Sequence, residues 1–336
     1  MRTRSVGVAS VIGPRSPCYP ELQMVSPVAP VSTQGPPACR VCGAREGVPW
    51  KPRNLERDLL PADLRITDDR YGVTLALWRC GRCEFIYSDS REVAELVTLY
   101  SRLDDPAYEE GEVSRTLQMR WLVSRARRAC PDARSLLDVG AAAGLFVGEA
   151  TRAGFCAEGV EPSRSLVAAG RGAGRTLHEG VLPHPALAGR RFDVVALVDV
   201  IEHVADPLAL LRAAREQVAP DGLVLLVTPD VDSRASRLLG KRWWHLRLAH
   251  VGYFNRRSLD EAVRLSGFET EEEFRARWFF EVGYLADRMV QYLPVSGLNR
   301  AVRATPGLRA LYDVVIPLNL GDSFVRMLRP AGAVSA

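Results

Sequence analysis

Leu136-Leu-Asp-Val-Gly-Ala-Ala-Ala-Gly-Leu-Phe146 is the stretch on which the fold turns. An apolar run too short for a helix breaks at Gly140, and a helical pattern, Leu145–Ala153, starts just after Gly144. Strand, glycine turn and helix in this order let the backbone turn tightly and approach a ligand closely. A dinucleotide-binding turn would carry a middle glycine in a G-x-G-x-x-G spacing. Here the glycines are spaced Gly140-x-x-x-Gly144, and Ala142 stands where the middle glycine would be. Asp138 lies two residues before Gly140. An acidic side chain there repels a pyrophosphate and suits a ligand with a cationic end.

Working outward, short apolar strands alternate with helical stretches. The strands read as Ser135–Val139, Ala157–Val160, Arg175–His178, Val194–Val198 and Leu223–Val227. The helical patterns between them include Arg164–Ala169 and Pro207–Val218, and Ser258–Ser266 ends at the C-cap glycine Gly267. This rhythm predicts an α/β fold with a parallel sheet covered on both faces. Glu269–Arg277 and Ser323–Leu328 are read as two later strands, with a mostly helical insertion over 279–321. At the end of the second strand, in Gly159-Val-Glu-Pro162, Glu161 follows Asp138 by 23 residues. A carboxylate so placed can accept hydrogen bonds from both hydroxyls of a ribose.

With these motifs in hand, residues from about 134 to 270 resemble a class I S-adenosylmethionine-dependent methyltransferase. Leu136–Gly144 resembles that family's first motif and Gly159–Ser163 its ribose-binding motif. Phe192–Pro207 resembles the fourth-strand motif and Gly222–Asp230 the fifth. The resemblance implies a Rossmann-like seven-stranded sheet. It also implies a pocket in which Asp138, Gly140, Ala142 and Gly144 line the methionine side and Glu161 the ribose. Gly180, Val181 and Leu182 would flank the adenine, and Asp199 and Val200 would reach the sulfonium. Asp199 also reads as a turn residue capping the next helix. Tyr108 falls where related enzymes place a tyrosine over the cofactor. A Rossmann-like dehydrogenase is the competing reading of the same strands.

Cys39-Arg-Val-Cys42 and Cys80-Gly-Arg-Cys83 are two CxxC knuckles separated by 37 residues. They suit a tetrahedral Zn²⁺ held by four thiolates; such a closed site is structural. The competing reading is four free thiols. Cys18, Cys130 and Cys156 read as one tail residue and two buried or half-buried thiols. A zinc module ahead of a methyltransferase core resembles the NDP-sugar C-methyltransferases and related natural-product enzymes, so the resemblance reaches over 38–330. It implies a small-molecule acceptor, such as an activated sugar, methylated on oxygen or carbon. A zinc module can also grip RNA, but residues 46–79 mix both charges without a basic-aromatic stripe, which disfavours nucleic acid. A zinc-stabilised binding protein with a vestigial cofactor pocket is a third class.

Five histidines are candidates for taking the acceptor's proton: His178, His184, His203, His245 and His250. His250 precedes the last core helix, where the sugar C-methyltransferases carry a Glu-His base pair. Ala249 stands in place of that glutamate. His250, His203 and Tyr253 are the catalytic candidates, since histidine titrates near neutral pH. His203 also reads as a helix-start residue beside the cofactor, and His245 as a pocket-edge or surface residue. Tyr108, Tyr253, Trp243 and Trp244 could wall the acceptor pocket.

Composition sets the outer limits. The chain has 336 residues, 25% charged and 47% hydrophobic, with a formal net charge of +4. Those values exclude a disordered or fibrous chain and give no charge argument for nucleic acid. No apolar run is long enough for a membrane helix, and the protein is expected to be soluble and cytoplasmic. The expected organisation is a Pro-rich tail over 1–36, a zinc module over 37–90 and a helical linker over the cofactor at 91–132. The core follows at 133–278, the insertion at 279–322, and the last strand with its tail at 323–336. Met24 is a second candidate start.

Overall fold

The computed structural model describes residues 35–68, 70–89, 91–105, 112–292 and 311–332. The tail, apart from its last two residues, and Tyr108 lie outside them. The N-terminal part forms β1 (Gly47–Lys51), β2 (Leu77–Cys80) and β3 (Ile86–Ser88), followed by α1 (Leu96–Ser101) and α2 (Glu112–Ala129). Next come β4 (Ser135–Val139), α3 (Leu145–Arg152), β5 (Cys156–Glu161), α4 (Arg164–Gly172), β6 (Leu177–Glu179) and β7 (Phe192–Val198). They lead into α5 (Pro207–Gln217), β8 (Val218–Pro229), α6 (Arg234–Leu239), β9 (Gly252–Tyr253), α7 (Arg256–Leu265) and β10 (Phe268–Arg275). The remaining elements are β11 (Trp278–Glu281), α8 (Val282–Tyr292), β12 (Val315–Leu318) and β13 (Ser323–Pro330).

The main sheet has seven strands in the order β10-β13-β8-β7-β4-β5-β6. From β8 to β6 the strands run parallel, and β13 lies antiparallel between β8 and β10. Chain order reverses at β4, which has β5 on one side and β7 on the other. A crevice therefore opens at the carboxyl ends there, the place where such sheets bind ligands. Every core strand read from the sequence is present, although β6 begins at Leu177 and not at Arg175. Buried Leu, Val and Ala fill β4, β7 and β8, as strands covered on both faces require.

The cysteine segments build a second sheet, ordered β1-β2-β3-β9, whose last strand comes from beyond the glycine turn. Ile86 pairs with Tyr253 and Tyr87 with Gly252. Cys39, Val41, Cys80, Cys83, Phe85 and Tyr87 share one buried cluster with Leu137, Val195, Val224 and Phe254 of the main body. Each fully buried Val, Leu or Phe contributes about 1.5–3 kcal/mol, so this shared core binds the two sheets strongly.

Two local expectations are corrected. Tyr71–Trp78 reads from the sequence as a strand-like run, but only its Leu77 and Trp78 enter a strand, and Gly72 sits at φ 81° in a turn. Where it is described, the insertion carries the expected helix as α8, and it adds a strand pair: β11 and β12 run antiparallel, Trp278 opposite Leu318. Cys156 is exposed, since β5 begins at the sheet's rim. No helix among the described residues is long and apolar enough to cross a membrane.

Candidate active site

The glycine turn is fixed by its neighbours. Gly140 (φ 74°) donates to Val160 O at 2.8 Å, and a Cβ there would lie 2.6 Å from Val200 Cγ2. Gly144 (φ 76°) opens α3. Ala142 adopts φ 48°, a left-handed conformation that a small side chain tolerates with some strain. Its N–H donates to Glu161 Oε2 at 2.9 Å, and Ser163 N donates to Glu161 Oε1 at 2.8 Å. The Glu161 carboxylate is thus anchored through both oxygens at the end of β5. Each oxygen keeps a second lone pair for a ligand hydroxyl.

Around this turn gather buried carboxylates. Asp138, Glu161, Asp199, Glu202 and Asp322 are all at the carboxyl-end crevice or beside it, and burial raises the pKa of the first four. Asp138 is raised further by Glu161. Asp199 is pushed up to about 7, by burial first and then by Asp322. Glu202 is raised well above the carboxylate range by burial and by Asp199. Among the described residues, Asp138, Glu161, Asp199 and Glu202 make no ion pair with a basic side chain. Asp199 Oδ1, Glu202 Oε1 and Asp322 Oδ1 are buried with no hydrogen-bond partner. Buried charge without a partner is costly, so a cationic ligand would be stabilised here.

Asp199 takes φ 52° and donates its N–H to Val227 O at 3.0 Å. The short helical turn that follows, Ile201–His203, has no side-chain cap, so the capping reading of Asp199 falls. Glu202 accepts from Thr228 Oγ1 at 3.0 Å through one oxygen, and its backbone O accepts from Val251 N at 2.9 Å. That second bond joins the loop after β7 to the loop carrying His250.

Three imidazoles pack in this pocket. His203 meets His250 edge-on at 4.6 Å between ring centroids, and His245 stacks on His250 at 5.7 Å. His203 Nδ1 lies 2.7 Å from the Tyr100 hydroxyl. Burial lowers His203 to about 3 and His250 well below its ordinary value, so both are neutral at pH 7. His250 Nδ1 has no partner. One ligand atom each from Glu202, His203 and His250 falls within 4.8 Å of the others. His245 is not a surface residue: its Nε2 lies 3.3 Å from Asp322 Oδ2, which also accepts from Trp244 Nε1 at 2.8 Å. Tyr253 donates its hydroxyl to Arg247 O at 3.3 Å and packs its ring with Leu77, Ile86 and Trp243.

The four cysteine sulfurs also converge within 4.8 Å of one another, with Cys39–Cys83 and Cys42–Cys80 each at 3.5 Å. Tetrahedral zinc with bonds of about 2.3 Å needs sulfurs about 3.8 Å apart, so the donor set fits that ion. Val41 N and Arg82 N, inside the two knuckles, point at Cys39 and Cys80 sulfur at 3.4 Å. The contact with Cys83 pulls the Cys39 thiol down to about 5.

The expected site residues fall into groups. Asp138, Gly140, Ala142, Gly144, Glu161, Asp199 and Val200 gather at the carboxyl ends of β4, β5 and β7 and in the turns that follow β4 and β7. Gly180 (φ 143°) and Val181 follow β6 on its far flank, where Gly180 N donates to Glu161 O. His203 and His250 meet in the adjoining pocket. His178 and His184 pair with Glu158 and the Glu179 carbonyl, away from it. Tyr100, Glu202 and Asp322 were not singled out from sequence. Asp322 lies in Asn319-Leu-Gly-Asp322, which has no motif signal. It reaches the crevice because antiparallel β13 starts where β8 ends, with Ser323 opposite Pro229.

The seven-stranded sheet, with antiparallel β13 inserted between β8 and β10, has the methyltransferase fold. A family model described as "Methyltransferase domain" matches residues 113–273, and the chain carries such a domain over that span. Curated relatives include two named ubiquinone biosynthesis O-methyltransferases. The one from Cereibacter sphaeroides strain KD131 is 35% identical over 116 residues, 32% of this chain and 47% of the relative. The one from Azorhizobium caulinodans is 32% identical over 162 residues, 42% of this chain and 64% of the relative. The chain thus spans about half to just under two thirds of these relatives' length. Among solved structures, the sugar N-methyltransferase KedS8 from Streptoalloteichus matches at 24% identity with a TM-score of 0.31, covering 36% of this chain and 49% of that one.

Proposed function

We propose that the protein transfers a methyl group from S-adenosylmethionine to an oxygen of a small-molecule acceptor, with Zn²⁺ held by Cys39, Cys42, Cys80 and Cys83 as a structural ion. The observation that carries this reading is the set of buried, raised and unpaired carboxylates beside the glycine turn. A zwitterionic nucleoside with a positive sulfur suits that setting, and a pyrophosphate does not. When bound, S-adenosylmethionine supplies an already activated methyl group. The protein's share is to orient the acceptor and receive its proton. Glu161 would hold the ribose, Asp138 would meet the amino end, and Asp199 would meet the sulfonium. His250 Nδ1, neutral and unpartnered, would accept the proton, and the Glu202 carbonyl holds the next residue, Val251, by its N–H.

Oxygen is favoured over carbon on two grounds. Ala249 removes the carboxylate partner that a carbon-directed histidine base would have, and the relatives are named as O-methyltransferases. An activated sugar and a phenol are the acceptors to try first. The test is calorimetry with S-adenosylhomocysteine, followed by methyl transfer from labelled S-adenosylmethionine to those acceptors. Glu161→Ala should abolish binding of S-adenosylhomocysteine. His250→Ala should keep that affinity within about twofold and lower turnover by about 10²–10⁴, the usual worth of a general base. Near-normal affinity in Glu161→Ala refutes the pocket, and an unchanged rate in His250→Ala removes it as the base.

A further inference from the structure

Arg40 lies inside the first cysteine knuckle, between Cys39 and Cys42, yet its side chain leaves the knuckle. Nη1 donates to Ala205 O at 2.7 Å and Nη2 to Val251 O at 2.5 Å. Ala205 is two residues after His203, and Val251 is the residue after His250. The guanidinium therefore bridges the two loops whose imidazoles meet at 4.6 Å. Val251 is held from three directions: its N–H donates to Glu202 O, and its carbonyl accepts from both Arg40 and Ser88 N. Ser88 belongs to β3, the strand that pairs with β9 immediately after Val251. One planar fork, with its two donors fixed in relative direction, sets the spacing of two carbonyls from loops more than 40 residues apart in sequence.

We infer that Arg40 is a positioning residue: it fixes the His203 and His250 loops against each other, and through it the cysteine knuckle acts on the proton-accepting pocket. The inference rests on the methyltransferase reading for the purpose of that pocket, but the contact itself does not. Arg40 touches neither the glycine turn nor Glu161. Its removal should loosen one half of the crevice and leave the other intact.

The experiment is native-state amide exchange on the full chain as purified, with zinc content measured for each variant. Arg40→Gln should retain zinc and exchange the Val251 amide and those of 200–206 at least about tenfold faster than wild type. The Ala142 and Ser163 amides, held by Glu161, should not change. Arg40→Lys, which keeps the charge without the rigid fork, should fall between the two. The ring ¹⁵N shifts of His203 and His250 should move in Arg40→Gln and partly return in Arg40→Lys. Unchanged exchange at Val251 in zinc-loaded Arg40→Gln overturns the inference. So does acceleration that includes Ala142 and Ser163 equally, because it marks general destabilisation. Should Arg40→Gln fail to fold, Arg40→Lys decides by the same two comparisons. Failure of wild type to bind S-adenosylhomocysteine would instead sink the functional reading and leave the exchange result standing.

Discussion

Asp199 shows most directly how burial becomes chemistry. It closes β7 in a left-handed conformation, its carboxyl is buried, and burial with Asp322 nearby pushes it up from 3.8 to about 7. The folded state therefore holds a proton that the unfolded chain has released. This group's contribution to stability is present at low pH and is lost as pH rises from about 4 through about 7. His203 and His250 act with the opposite sign. Lowered in the folded state, they remove stability as pH falls below about 6.5. A positive sulfur beside Asp199 favours its charged form. With Asp199 half protonated near pH 7, binding of S-adenosylmethionine there should then release up to about half a proton, and the uncharged sulfur of S-adenosylhomocysteine should release less. Calorimetry in two buffers of different ionisation enthalpy measures the difference, which Asp199→Asn should remove. Equal release by the two ligands in wild type would detach Asp199 from the sulfonium.

At the scale of elements, the glycine turn and the loop after β7 are one packed unit. A Cβ on Gly140 would meet Val200 Cγ2 at 2.6 Å, and the residue's φ of 74° is unfavourable for any L side chain. Gly140→Ala should cost about 1–2 kcal/mol from the backbone alone and displace Val200, next to Asp199. Affinity for S-adenosylhomocysteine should fall at least about tenfold, equivalent to about 1.4 kcal/mol. Adding Val200→Ala should recover the part due to collision and not the part due to φ. No recovery in the double variant would mean that the two elements do not press on each other. This unit was legible in the sequence because Asp138, Gly140, Gly144 and Glu161 belong to local strand–turn–helix patterns. Glu202 was hidden in plain view beside His203, since nothing local says that its carboxyl is buried under Thr228. Asp322, Tyr100 and Arg40 were illegible for a different reason. Each reaches the crevice only through topology: the antiparallel entry of β13, the placement of α1 over the β7 loop, and the pairing of β3 with β9. The short, strand-built part of the insertion escaped for want of periodicity over four-residue segments.

At the scale of the whole molecule, the question is whether the cysteine segment is an accessory or part of the same folding unit. Its sheet is completed by β9, and Cys39, Cys80 and Cys83 lie in a buried cluster with Leu137, Val195 and Phe254. An appended module would have its own core and melt by itself. If the four cysteines hold the proposed Zn²⁺, its binding free energy is folding free energy. Because the core is shared, that free energy belongs to the main sheet as well. Removing zinc with a strong chelator should release one ion per chain and lower the midpoint of a single unfolding transition. The shift should be at least about 3 °C, near the effect of 1 kcal/mol on a domain of about 200 residues. Val251, at the seam between the two sheets, should lose amide protection before the centre of β4 does. Two separate transitions, with the larger one unmoved by the chelator, would show the opposite: a detachable module whose β3–β9 pairing carries no stability into the methyltransferase sheet.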